Sequence, residues 1–329
     1  MEYNCNLLIN WSPRDLDVEG VTAQKDHDSI IQLYDVFKND TFIWDDISFQ
    51  ISMDWSQFEQ IFIESEDVNG PYFRNIDGML YKQVACLKNI IIPISVTTSI
   101  DVESHKLQSY LHRYLLDLFI VCNLAAPGLV DFYNAKLDND EKFTPIKISN
   151  FSFRCAMEKI ESRQVPYVEY VDIRTCAEWY RSLNISTRVI ASNSVEKAIF
   201  SLLHILRMDD YDISTVPWIF HALEAIYGTN AGRGFSDISN KVNFLLQVEE
   251  RQQKRLKRKL RELNDLRSSF IHGGYNVSHI MNQNFNDEIF EIVSFGISLV
   301  ISSLQCLMKN NWKAIFVEET FVGQPAAAS

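Results

Sequence analysis

Short apolar runs with partial alternation fill much of the first half of the chain. Asn6 to Trp11, Thr41 to Met53, Gln60 to Glu64 and Gln83 to Thr98 are rich in Ile, Phe and Val and predict strands. Asn69-Gly70-Pro71 and Asp77-Gly78 supply turn signals between them. A helix follows from Val102 to Ala125 and stops at Ala126-Pro127-Gly128, and further strand-like pieces lie at Thr144 to Ile160 and Pro166 to Ile173. Beyond residue 185 the pattern becomes helical. Asn193 to Met208 begins behind Ser192 and Asn193 as caps, and Val216 to Tyr227 ends at Gly228. One long helix is expected from Ser239 to His272, closed by Gly273-Gly274. A last helix, Asn286 to Asn310, carries Asp287 and Glu288 in its first turn, where they oppose the positive end of the helix dipole. The pattern predicts an α+β chain: a strand-rich domain over 1–185, an all-α helical bundle over 186–312, and a tail over 313–329.

Composition narrows the class. With 47% hydrophobic and 22% charged residues the chain is globular, without room for extensive disorder. Six cysteines are scattered without a CxxC pair, so neither a zinc site nor a disulfide framework is expected, and a reducing cytoplasm fits. The N-terminus lacks a basic start and an apolar core, so no signal peptide is expected. The uncharged stretch Ile292 to Met308 is marginal in length for a membrane span. It carries Ser294, Ser298, Ser302, Ser303 and Gln305, which fits a buried helix better.

Charge changes the picture more. The net charge of −12 argues against general nucleic-acid binding. Between Lys241 and His272, however, nine Lys or Arg stand against four acids, leaving +5 there and −17 elsewhere. With Leu256 set at zero and 100° per residue, Leu260, Leu263, Phe270 and Ile271 fall within about 60° and form an apolar stripe. Arg251, Lys254, Arg258 and Arg261 fall roughly opposite, with Lys257 and Lys259 broadening the row. They read either as a solvated face or, together with Arg255, as a rail that tracks phosphates.

Arg267 is out of place. It returns to about 20°, near the centre of the apolar stripe, where a charge needs a partner. An inward salt bridge to Glu224 on the preceding helix would satisfy it; an anion in a cleft or at a subunit seam would do so too. His272 comes five residues later, about 140° round and about 7.5 Å along. A last turn loosened at Gly273-Gly274 would let the imidazole swing back toward the guanidinium. Arginine suits a phosphate and histidine moves protons near neutral pH, so the pair is either the minimum equipment for cutting RNA without a metal or simply the hold on a helix end.

Other signals are weaker. Asp45-Asp46 and Asp209-Asp210 lack supporting ligands and read as solvated loops. The glycine-rich segment Gly228 to Gly234 follows a helix rather than a strand, so it is no phosphate loop. As a loop beside the cleft it would bring Arg233 to RNA.

The segment Leu263 to Gly273, with Arg267 and His272 in Arg-x4-His spacing, resembles the signature of HEPN domains. Val216 to Gly228 resembles a second block of the ApeA-like branch, and the likeness covers about residues 190 to 312. The resemblance implies a helical bundle that forms a homodimer, with two Arg–His pairs facing one composite cleft. It also implies a metal-independent endoribonuclease without cofactors, serving bacterial anti-phage defence or a toxin–antitoxin system. RNA is then the substrate, and an antitoxin or a phage-derived trigger the regulator. Arg267 would hold the scissile phosphate and His272 would transfer protons. Two positions depart from the family pattern. Ser268 stands where active members often have Asn, Asp or His, and its hydroxyl can still hydrogen-bond. Gly274 stands where some toxins carry a modifiable tyrosine, and Tyr275 comes one residue later. The alternative from the same likeness is a non-catalytic module for dimerisation and for binding RNA, a nucleotide or a partner.

Overall fold

The computed structural model describes residues 1–11, 21–67, 73–76, 79–82, 88–138, 143–162, 165–208, 212–229, 234–277 and 287–314. The protein is α+β, with a sheet near the N-terminus and a helical second half. Six antiparallel strands run in the order β2-β3-β6-β1-β7-β8. They are β1 (Glu2–Trp11), β2 (Asn39–Trp44), β3 (Ile47–Met53), β6 (Lys88–Thr98), β7 (Lys136–Asp138) and β8 (Phe143–Pro145). β1 is central, pairing from Glu2↔Thr97 to Trp11↔Lys88 with β6 and Leu7↔Leu137 with β7. Alternation puts Cys5, Leu7 and Ile9 with Ile90, Ile92 and Ile94 in the core, while Ile91 faces out. Strands β4 (Phe73–Ile76) and β5 (Met79–Lys82) form a separate hairpin.

The stretch expected as one strand from Thr41 to Met53 is a hairpin. Its two loop residues are Asp45 and Asp46, at φ 49° and 62°. Two left-handed residues match the twist of a tight hairpin, and Asp tolerates that geometry, which accounts for the acid pair. Two other expected strands are helices. Gln60 to Glu64 lies within α2 (Ser56–Glu66), where Trp55, Phe58 and Ile61 face inward at helical spacing. Most of Thr144 to Ile160 belongs to α4 (Phe151–Ser162), after the end of β8. Pro166 to Asp172 joins no sheet among the described residues, and Ile173 already opens the next helix; the Gln305 side chain takes a strand's place, accepting from Glu169 N and donating to its carbonyl. Helix α1 (Val21–Phe37) adds to the first half without having been expected. Helix α3 (Ser104–Ala125) falls where the sequence predicts it, and α5 (Ile173–Ser182) is capped by Asp172. The turn signals Asn69-Gly70-Pro71 and Asp77-Gly78, and residues 83–87, lie outside the described residues.

The second half holds α6 (Ser194–Ile205), α7 (Thr215–Tyr227), α8 (Gly234–Leu245), α9 (Glu250–Ile271) and α10 (Asp287–Lys309). The expected single helix from Ser239 to His272 is broken between α8 and α9. Gln247 adopts a left-handed φ of 48°, and Val248 turns inward to be buried. Asn193 caps α6 as expected, accepting from Glu196 N, and Gly228 ends α7 at φ 56°. Helix α10 is long and apolar enough to cross a membrane, yet 78% of its apolar window is buried within the fold. It packs on α3, α4 and α5 as well as on α6 to α9, so one apolar core continues across residue 185. The first residues of the expected tail dock as well: Lys313 Nζ donates to Ser182 O, and Trp179 Nε1 donates to the neighbouring Trp312 O.

Candidate functional site

Helices α7 and α9 bring the predicted pair of Arg267 and Glu224 together. On α7, Val216, Ile219, Phe220, Leu223 and Ile226 face the core at helical spacing. Pro217 sits in the first turn, where its missing N–H costs no helical bond. On α9 the stripe is buried at Leu256, Leu260 and Leu263 and then rises toward the surface. Leu266 and Phe270 are half-buried and Ile271 is exposed. Arg267 lies where the stripe leaves the core.

Its Nη1 donates to Glu224 Oε1 at 3.1 Å, and both side chains are 31% exposed. The guanidinium carbon lies 4.6 Å from the centre of the Phe220 ring, a cation–π distance. Phe220 is one helical turn before Glu224, so one face of α7 supplies both the carboxylate and the ring. A Cβ at Gly234, the first residue of α8, would stand 2.7 Å from Glu224 Oε1. The glycine therefore leaves room for the carboxylate to turn toward Arg267. A guanidinium has five N–H donors, and only Nη1 of Arg267 is hydrogen-bonded among the described residues. The remaining donors, beside solvent, can take an anion.

His272 caps α9 and is exposed. Its backbone keeps the helical bond from N to Ser268 O at 3.0 Å, with φ −92° and ψ 9°. The helical bonding thus reaches this residue, whose own φ and ψ already leave the helix, and the chain reverses at Gly273, where φ is 74°. Ideal helical spacing sets the two residues about 140° apart around the axis. Ser268 is exposed between them in sequence. After Gly273 the chain folds back: Gly274 N and Tyr275 N both donate to Ser269 O. The Tyr275 ring meets Phe270 edge-on at 6.4 Å.

The basic row is present on α9. Arg251, Lys254, Arg255, Lys257, Arg258 and Arg261 are exposed. Several cations are already occupied: Arg251 by Glu249, Arg258 and Lys259 by Glu262. Lys241 is spent on the C-terminus of α7, donating to Tyr227 O and Gly228 O. Arg233, Asp209 and Asp210 lie outside the described residues. Sequence reasoning missed Phe220 and Gly234. The i−4 relation of Phe220 to Glu224 was a usable signal for the first; the second needs the closeness of α8 to α7, which no local pattern carries.

Comparison with protein-family models, curated proteins and solved structures returns no match to this chain.

Proposed function

We propose that the protein is a metal-independent endoribonuclease of the HEPN type that acts as a homodimer in bacterial anti-phage defence or a toxin–antitoxin system. The observation that supports this reading is Arg267. It is a half-exposed guanidinium anchored by Glu224 and Phe220 at the edge of an apolar stripe, with donors still unspent. Anchoring on one side and open donors on the other suit a group that must hold a phosphate in fixed orientation. Helical spacing sets His272 about 140° round from Arg267 on one helix, so the pair completes itself across a two-fold axis. Arg267 of one copy serves with the imidazole of the other. In the reaction the 2′-oxygen attacks phosphorus as its proton leaves, and the bond to the 5′-oxygen breaks as that oxygen gains a proton. His272 carries one of these proton transfers, Arg267 neutralises charge on the phosphoryl oxygens, and the Ser268 hydroxyl lies beside them. Arg251, Lys254, Arg255, Arg258 and Arg261, with Arg233, guide the strand.

Incubating the intact protein and His272→Ala with total RNA in EDTA tests the proposal. Cyclic-phosphate ends are expected from the intact protein and at least about a hundredfold fewer from the variant. RNA retained but uncut by both proteins would favour the second reading, a non-catalytic HEPN module. The helical bond from His272 N to Ser268 O, which keeps helical spacing between Arg267 and His272 within one chain, is the observation on that side.

A further inference from the structure

A cleft of about 340 Å³ lies between α3, the end of α6 and the segment after β8, with no residue of α9 in its lining. Its lining carries His112 and Arg113 from α3, Lys147 from the segment after β8, and His204 and Arg207 from the end of α6. Among the described residues no carboxylate lines it, in a chain of net charge −12. Such a concentration of one sign is costly unless something offsets it. Arg113 is engaged within the fold: its Nη2 donates to Ile185 O at 3.2 Å, and its Nε stands 3.5 Å from the buried Asp117 as an ion pair without a hydrogen bond. Its guanidinium also covers the Phe200 ring at 5.3 Å. Lys147 and Arg207 are exposed and have no acidic partner among the described residues. Lys147 is held with a left-handed backbone, φ 55°, a conformation that costs a non-glycine residue about 1 kcal/mol or more.

The rest of the lining is apolar, including Leu116, Ile148, Phe200 and Leu203. Charge at the rim and an apolar wall are the two halves of a small-molecule site, and the volume lies in the range of such sites. We infer that this cleft binds a small organic phosphate, with the phosphate held by Lys147, His204 and Arg207 and the apolar body lying on Leu116, Phe200 and Leu203. Several separate cations suit a dianion better than a single carboxylate. His204 also stacks on Trp218 of α7, with ring centres 4.1 Å apart and planes within 7°. A ligand at the imidazole would therefore be one side chain away from the helix that carries Glu224. The site stands independently of the ribonuclease reading.

Titration of the full chain with phenyl phosphate, inorganic phosphate and benzyl alcohol tests the inference by calorimetry and thermal unfolding. Phenyl phosphate is expected to bind and to raise the melting temperature, about tenfold or more tighter than either fragment. The Lys147→Gly/Arg207→Ala double variant is expected to lose that binding, also by about tenfold or more. Glycine accepts the left-handed backbone without strain, so the variant keeps its fold, which its melting temperature without ligand verifies. Arg174→Ala, an exposed cation removed from α5, should bind as the intact protein does. Equal binding by the double variant, equal affinity for inorganic phosphate, or no binding of phenyl phosphate to the intact protein would each overturn the assignment.

Discussion

Glu224 answers to two neighbours at once, the guanidinium it binds and the glycine that leaves it room. Replacing it by Gln keeps the shape and removes the charge. Because the pair is about one-third exposed, solvent already weakens it, and Glu224→Gln should cost no more than about 1 kcal/mol in denaturant unfolding. RNA retention should rise, since a phosphate no longer competes with a carboxylate for Arg267; unchanged retention would remove Arg267 from the interface. His112 gives a second prediction at this scale. Burial chiefly, and the charge of Arg207 next, hold its imidazole below the ordinary 6.5, against a hydrogen bond to Ile146 that pulls the other way. Arg113, Lys147, His204 and Arg207 share its cleft. The unfolded chain therefore takes up a proton near 6.5 while the folded chain resists it. This contribution to stability is whole above 6.5 and is lost as pH falls through the depressed folded value. Denaturant unfolding at pH 7.5 and 5.5 should show the intact protein losing more stability than His112→Gln; equal losses would refute it. The misplaced phase of Arg267 and its partner Glu224 were legible in the sequence because both lie on helices with clear periodicity. The cleft was not, since its cations come from segments far apart in the chain.

At the level of elements, Gly296 of α10 governs how α7 and α9 approach each other. A Cβ there would stand 2.9 Å from both Ile219 Cγ2 on α7 and Leu263 Cδ2 on α9. Those two residues precede Glu224 and Arg267 by little more than a helical turn. Gly296→Ala gains helix propensity but overpacks a three-helix contact, so a net loss of about 1–2 kcal/mol is expected in denaturant unfolding. The Arg267–Glu224 bond should loosen with it, visible as a shift of the Arg267 side-chain resonance; a variant as stable as the parent would show that the crossing has slack. Elements with long periodic patterns, α3, α6, α7 and α10, were readable to within a few residues. Gln60 to Glu64 was not, because a window of five residues omits Trp55 and Phe58, which reveal the helical spacing. The break before α9 was hidden for a different reason: a left-handed Gln247 and an inward Val248 are tertiary choices without a Gly or Pro to announce them.

For the molecule as a whole, α10 packs on elements from both sides of residue 185, where the sequence pattern turns helical. Gln305 donates to Leu124 O and Glu169 O, and Ser302 to Tyr167 O, so polar groups of the last helix satisfy backbone of the first half. The all-round apolar character of Ile292 to Met308 already pointed to a helix surrounded by protein, though not to what surrounds it. The pairing of cations along α9 has a further consequence for any strand lying there. Of the nine Lys and Arg counted from Lys241 to His272, Lys241, Arg251, Arg258, Lys259 and Arg267 already have acidic or carbonyl partners. Arg267 keeps further donors for a phosphate, so with Lys254, Arg255, Lys257 and Arg261, which have no acidic partner among the described residues, five cations are left to displace counterions from a polynucleotide; Arg251 and Arg258 guide the strand only by giving up their carboxylates. Each of the five contributes about −0.7 to the slope of log affinity against log salt for a single strand, so the slope per chain should be about −3.5, not the −6 that all nine would give.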